Sequence, residues 1–170
     1  MIENRDFIVF SDDWGRHPSS CQHIFKRIAQ KNRVLWVNTI GMRLPQLNWR
    51  DLCRIAEKLV SWGRPKNKGD DNIVVYSPIM TPFSHIRFFR RLNNLLLMSG
   101  IKKQLRKHRL QNCILVTTVP NVSGLIGRLG ESKSIYYSVD DFSKWHGMLN
   151  ETMAGMEQEL LNKVDLVLAA

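Results

Sequence analysis

The chain has 170 residues, 44% of them hydrophobic, and a formal net charge of +10. That length suits one domain with a substantial core, and no apolar run is long enough to cross a bilayer. Three widely separated cysteines, Cys21, Cys53 and Cys113, exclude a disulfide framework and have no zinc-ligand spacing, so they read as reduced, mostly buried thiols of a cytoplasmic protein.

The amino terminus, MIENRD, carries acids and leads directly into a strand, so no signal peptide is expected. Asp6–Ser11 holds the continuous apolar run FIVF, which suits a strand buried on both faces. The polar loop Ser11-Asp12-Asp13-Trp14-Gly15-Arg16-His17-Pro18 follows at once. Ser19 and Gln22 then fit a capping box that opens a helix with Cys21, Ile24, Phe25 and Ile28 on its apolar stripe. Arg33–Asn38 (RVLWVN) is the second predicted strand. A loop over residues 39–47 leads to a helix over Trp49–Trp62 capped by Asn48, and GRPKNKGDDN (63–72) is a polar turn. Ile73–Ser77 is the third strand, ended by Pro78.

The next segment makes the protein basic. Eight of the 25 Lys and Arg residues lie between Ser84 and Arg109, a stretch without an acid, leaving 17 bases against 15 acids elsewhere. Ser99-Gly100 is expected to break this stretch into two helices. Its mixture of leucines, phenylalanines and bases suggests an amphipathic element on anionic lipid headgroups, with Arg87, Arg90, Arg91, Lys102, Lys103 and Arg106 facing the membrane. Nucleic acid is not expected as a partner, because no recognition motif accompanies the bases. Asn112–Thr118 is the fourth strand, followed by a turn at Val119-Pro120-Asn121 and a short helix to about Leu129. Ser134–Asp140 is the fifth strand. Asn150 caps a helix whose buried stripe is Met153, Met156, Leu160 and Val164, and Asp165–Ala170 begins a sixth strand.

Strands and helices alternate throughout, which predicts an α/β, Rossmann-like three-layer sandwich around a mostly parallel six-stranded sheet. In such a sheet ligands bind at the carboxyl ends of the strands. Polar groups gather there after three strands: Ser11-Asp12-Asp13, Thr117-Thr118 and Asp140-Asp141, with Trp14 and Trp145 beside two of them. Arg16 and His17 precede the first helix, where an anionic group or a hydroxyl could be held. The first loop has a single glycine, so the GxGxxG dinucleotide fingerprint is absent. A phosphoacceptor receiver domain fails as well, since Ser77 and Asp140 stand where it needs an Asp and a Lys. His23, His85, His108 and His146 lack metal-ligand spacing, and no metal site is expected.

Three stretches together, FIVFSDDWGRHPSSCQHIFKRIAQKNRVLWVNTIG, SIYYSVDDFSKWHG and ELLNKVDLVLAA, resemble the amino-terminal Rossmann-like half of GT-B glycosyltransferases. The resemblance is to bacterial family-4-type enzymes that build cell-surface polysaccharides, and it covers nearly the whole of residues 1–170. It implies an acceptor-side domain, cytoplasmic or peripheral on the inner face of the membrane, that receives a glycan or lipid-linked acceptor. A separate carboxy-terminal domain would bind the nucleotide-sugar donor, so the chain is read as ending before that domain, inactive alone and without a cofactor of its own. By matched position the resemblance implies His17, Asp140 and Asp141 as catalytic residues. It implies Asp13, Trp14, Gly15, Arg16, Ser19, Thr118, Asn121 and Trp145 as substrate-binding residues. The first loop lacks the family's glycine-rich form, and Thr118-Val119-Pro120 replaces the His of many retaining members. A non-catalytic α/β module for a polyanion or a protein partner is the alternative.

Overall fold

A computed structural model describes residues 2–16, 18–38, 72–78, 87–139 and 150–169. The element order is β1 (Asp6–Ser11), α1 (Ser20–Ile28), β2 (Arg33–Asn38), β3 (Ile73–Tyr76), α2 (Arg87–Lys107), β4 (Ile114–Thr117), a 3-10 helix (Pro120–Leu125), β5 (Lys133–Ser138), α3 (Asn150–Leu161) and β6 (Leu166–Ala169). The six strands form one parallel sheet in the order β3-β2-β1-β4-β5-β6. The chain builds one half outward from β1, then returns to β4 and builds the other half. The carboxyl ends of β1 and β4 therefore flank the switch point, where a parallel sheet opens a crevice.

Alternation along the strands divides the core. Ile8 and Phe10 of β1 face the layer of α2 and α3, packing with Leu35, Leu97, Ile101, Leu115 and Leu160. Phe7 and Val9 face α1, packing with Cys21, Phe25, Trp36 and Val75. Trp36 is fully buried, with Trp14 and Phe25 meeting its ring edge-on at 4.7 and 6.1 Å between centroids. At the amino edge, Asp6 locks three segments. Its buried carboxylate accepts two hydrogen bonds from the Arg33 guanidinium (2.8 and 2.7 Å) and one from the Gln111 amide (2.7 Å).

Several expectations need correction. The basic segment is one uninterrupted helix of 21 residues across Ser99-Gly100. A helical glycine costs only about 1 kcal/mol relative to alanine. Here it also makes room: a Cβ on Gly100 would lie 2.0 Å from the Tyr76 hydroxyl. On α1, Gln22 is buried and Ile24 is exposed, reversing their expected places, because the Gln22 amide is drawn inward to the first loop. The capping box is half formed: Ser19 Oγ accepts the Gln22 amide proton (3.3 Å), while the Gln22 side chain turns elsewhere. The segment after β4 is a 3-10 helix ending at Leu125, not a helix to Leu129. The fourth strand starts at Ile114, because Asn112 adopts a left-handed φ of 48° that leaves the strand region. Val164 lies beyond the end of α3 but still packs on the core. The loops and helix expected over 39–71, the loop at 79–86 and the segment 140–149 lie outside the described residues.

The β6 edge depends on one carboxylate. Asp165 accepts from the Ser134 amide (2.7 Å) and hydroxyl (2.8 Å), and Lys133 Nζ lies 3.4 Å from its other oxygen. The amide bond, then the hydroxyl bond, hold the Asp165 carboxyl below its ordinary pKa. Its stabilising contribution is therefore complete above the unfolded value near ~4 and is lost as pH falls through the lower folded value. Asp165→Asn is expected to lower Tm at neutral pH by an amount that shrinks as pH falls below about 4. A Tm difference from wild type that stays constant with pH would rule out this contribution.

Candidate functional site

The loop after β1 has three successive amides, and each is already occupied. Trp14 N–H donates to Asn38 Oδ1 at the end of β2 (3.0 Å). Gly15 N–H donates to Gln22 Oε1 of α1 (3.0 Å), and Arg16 N–H to the Asp13 carbonyl (3.1 Å). Gly15 sits at φ 74°, the left-handed turn that glycine adopts without strain. The Gln22 amide nitrogen lies 3.5 Å from the Asp13 carbonyl, and Trp36 Nε1 donates to the Asp12 carbonyl (3.0 Å). Phosphate-binding loops work by aiming free amides at the anion. This loop spends those amides on Asn38, Gln22 and its own turn.

Beneath the loop, Thr118 N–H donates to the Phe10 carbonyl (3.0 Å) and Thr118 Oγ1 to Ser11 Oγ (2.9 Å), stitching β4 to β1 at the switch point. Thr117 Oγ1 donates to the Val119 carbonyl (2.8 Å) and accepts from the Val119 amide (3.1 Å). Cys21 lies against Ser11, and burial, opposed in part by the Ser11 hydrogen bond, pushes its thiol up to about 11. It is a packing group and not a thiolate nucleophile. Asn121, in the first turn of the 3-10 helix, has an enclosed Oδ1 with no hydrogen-bond partner among the described residues. A buried acceptor left in that state is costly until a donor reaches it. The Asn121 oxygen is closed to solvent, so it belongs to the packing of the fold and is not a contact offered to a ligand.

The residues singled out from sequence divide accordingly. Asp13, Gly15, Arg16 and Ser19 lie together in the first loop and α1 cap, with Asp13 and Arg16 paired at 3.3 Å in solvent. Trp14 is half-buried on Trp36, with Lys26 Nζ 5.8 Å from its ring centroid, so it braces the loop more than it lines an open cleft. Thr118 is buried and shapes the edge from below. His17, Asp140, Asp141 and Trp145 lie outside the described residues. Sequence reasoning missed Gln22 and Asn38 as organisers of the loop. A polar residue on the apolar stripe of α1 and an Asn closing a buried strand were the available signals.

On α2, Arg91, Lys102, Lys103 and Arg106 are exposed, as the membrane reading requires. Arg90 is half-buried, and its charge reaches Glu159 of α3, adding to the Lys163 hydrogen bond that chiefly lowers the Glu159 pKa. The Arg87 side chain lies outside the described residues. A polar cavity of about 560 Å³ opens at the opposite edge of the sheet, beside Asp6, Asn32 and Arg33. Those side chains are committed to holding β1, β2 and the approach to β4 together. Among the described residues no three metal-ligating side chains gather. Compared with protein-family models and with curated proteins, the chain matches none.

Proposed function

We propose that this domain is the acceptor-side half of a GT-B-type glycosyltransferase. It receives a glycan or lipid-linked acceptor at the carboxyl edge of the sheet, while a separate domain holds the nucleotide-sugar donor. The observation that carries the reading is the capture of the Trp14, Gly15 and Arg16 amides by Asn38, Gln22 and Asp13. A loop so occupied has little left for a diphosphate. Asp13, Arg16 and Ser19, the polar side chains that this edge leaves at least partly exposed, suit a neutral polyol better. Within this reading, the edge orients an acceptor hydroxyl for attack at the donor sugar. His17, Asp140 and Asp141, adjoining the first loop and β5 in sequence, are the candidates to take its proton. Arg16, half neutralised by Asp13, could offset charge as the nucleoside diphosphate departs. A lipid-linked acceptor would bring the domain to the inner face of the cell membrane. Among the described residues no helix is long and apolar enough to cross one.

The test is an amide chemical-shift titration of the chain with alkyl glycosides and, separately, with nucleoside diphosphate sugars. Glycosides are expected to shift Ser11–Arg16 and Thr118–Asn121, and nucleotides to leave residues 14–16 unmoved. Saturable nucleotide or polyanion binding at the loop, with no response to glycosides, would sink the acceptor reading. Transfer itself is read as acceptor-dependent release of nucleoside diphosphate by the protein that joins this domain to a donor domain.

A further inference from the structure

The solvent face of α2 changes character along its length. Its inward stripe is Asn93, Leu97, Ile101 and Leu105, all buried, one every fourth residue. The opposite stripe is Phe88, Arg91, Leu95, Ser99, Lys102 and Arg106, all exposed and spaced three or four apart. Its first half is mostly apolar, with Arg91 between Phe88 and Leu95, where water should favour polar side chains. Phe88 is 69% exposed, Leu95 57% and the flanking Leu96 43%. Its second half is cationic, with Lys102, Lys103, Arg106 and Lys107 all exposed. The helix contains seven bases and no acid. From Phe88 to Arg106 the face runs about 27 Å along one helix axis, continuous because Gly100 does not break it.

We infer that this face of α2 docks on an anionic lipid bilayer, with Phe88, Leu95 and Leu96 inserted at the headgroup boundary and Lys102, Lys103, Arg106 and Lys107 on the lipid phosphates. Charge complementarity selects an anionic surface. The three apolar side chains select a bilayer over a nucleic acid, because a bilayer offers anionic headgroups and a hydrocarbon layer on the same plane. Because α2 runs back against the parallel strands, its apolar half lies towards the carboxyl edge of the sheet, and its basic half towards the amino edge. Docked this way, α2 would lie along the membrane, with its inserted apolar end at the carboxyl edge of the sheet and its basic end, over the lipid phosphates, at the amino edge.

Co-sedimentation of the full chain with phosphatidylcholine vesicles, with and without phosphatidylglycerol, tests the inference. The wild type is expected to bind only the phosphatidylglycerol vesicles at about 0.1 M salt and to be weakened as salt rises. Reversing three charges, K102E/K103E/R106E, should reduce partitioning at least about thirty-fold. F88S/L95S/L96S should abolish the part of binding that survives high salt. All six positions are exposed, so both variants should keep the wild-type circular dichroism and Tm, which checks that a loss is not unfolding. Absence of wild-type binding, or equal binding by either triple variant, would overturn the inference. An acidic protein or a nucleic acid that binds wild type and F88S/L95S/L96S alike, while vesicles do not bind, would overturn it too. Both variants retain the first loop, so the glycoside titration is expected to be unchanged in them and the two proposals fail separately.

Discussion

Trp36→Ala is expected to lower the unfolding free energy by about 4 kcal/mol, within the usual cost of removing a buried aromatic ring. Trp36 is fully buried on β2, between Phe25 of α1 and Trp14 of the first loop. Its removal leaves a cavity that the sheet cannot collapse, because β1 and β3 hold the strand on both sides. It also frees the Asp12 carbonyl, which takes the indole proton at 3.0 Å. Trp36→Phe separates the two effects. It keeps most of the ring and should cost about 1 kcal/mol more than packing loss alone through the missing hydrogen bond. Denaturant titration measures both, and a double-mutant cycle with Trp14→Ala should give a coupling of about 1 kcal/mol for the edge-on pair. Additive losses would mean that Trp14 does not brace the loop on the core.

Asp6→Ala should cost about 3 kcal/mol, close to what breaking one side of a buried ion pair costs. Asp6 is nearly enclosed, while Arg33 is half exposed and can turn to water when its partner goes. Much of the loss therefore falls on the Gln111 amide and on the joining of β1, β2 and the approach to β4. Asp6→Asn retains an acceptor and is expected to recover part of the loss. Equal stability of Asp6→Ala and wild type in denaturant would show that the amino-edge lock contributes nothing. Because this lock lies at the edge opposite the first loop, glycoside shifts at Ser11–Arg16 should persist in any Asp6 variant that remains folded.

The sheet was legible because its strands are apolar on both sides. FIVF, VLWV and the run around Leu115 have no polar alternation, which only a doubly covered parallel strand tolerates. The intervening polar turns and helical spacings then imply crossovers, and crossovers imply the carboxyl-edge crevice. The candidate loop was legible for the same reason, as the first polar segment after a central strand. Its state was not. Asn38 lies 24 residues from the amide it accepts, and Gln22, whose position fits a cap for its own helix, turns its side chain to the Gly15 amide instead. Thr118 read as a cleft residue because it is polar at a strand end, yet it is buried with its hydroxyl on Ser11.

The basic helix marks the same division. From the sequence alone came its bases, its lack of acids and its amphipathic composition, since charge is a property of residues regardless of where they point. Which leucines meet the core was not readable, because apolar residues occur all round its first turns and a 3.6-residue period cannot choose between two apolar faces. Packing on the sheet made the choice: Leu97, Ile101 and Leu105 went inward, while Phe88, Leu95 and Leu96 were left in solvent. At Gly100 the helix runs on, and the bare Cα gives room to the Tyr76 hydroxyl, a contact that only the tertiary structure shows. Local pattern determined the elements and their order in this protein. Contacts between residues far apart in the chain decided which polar groups are spent and which surfaces stay uncovered, because those depend on the neighbours the fold supplies.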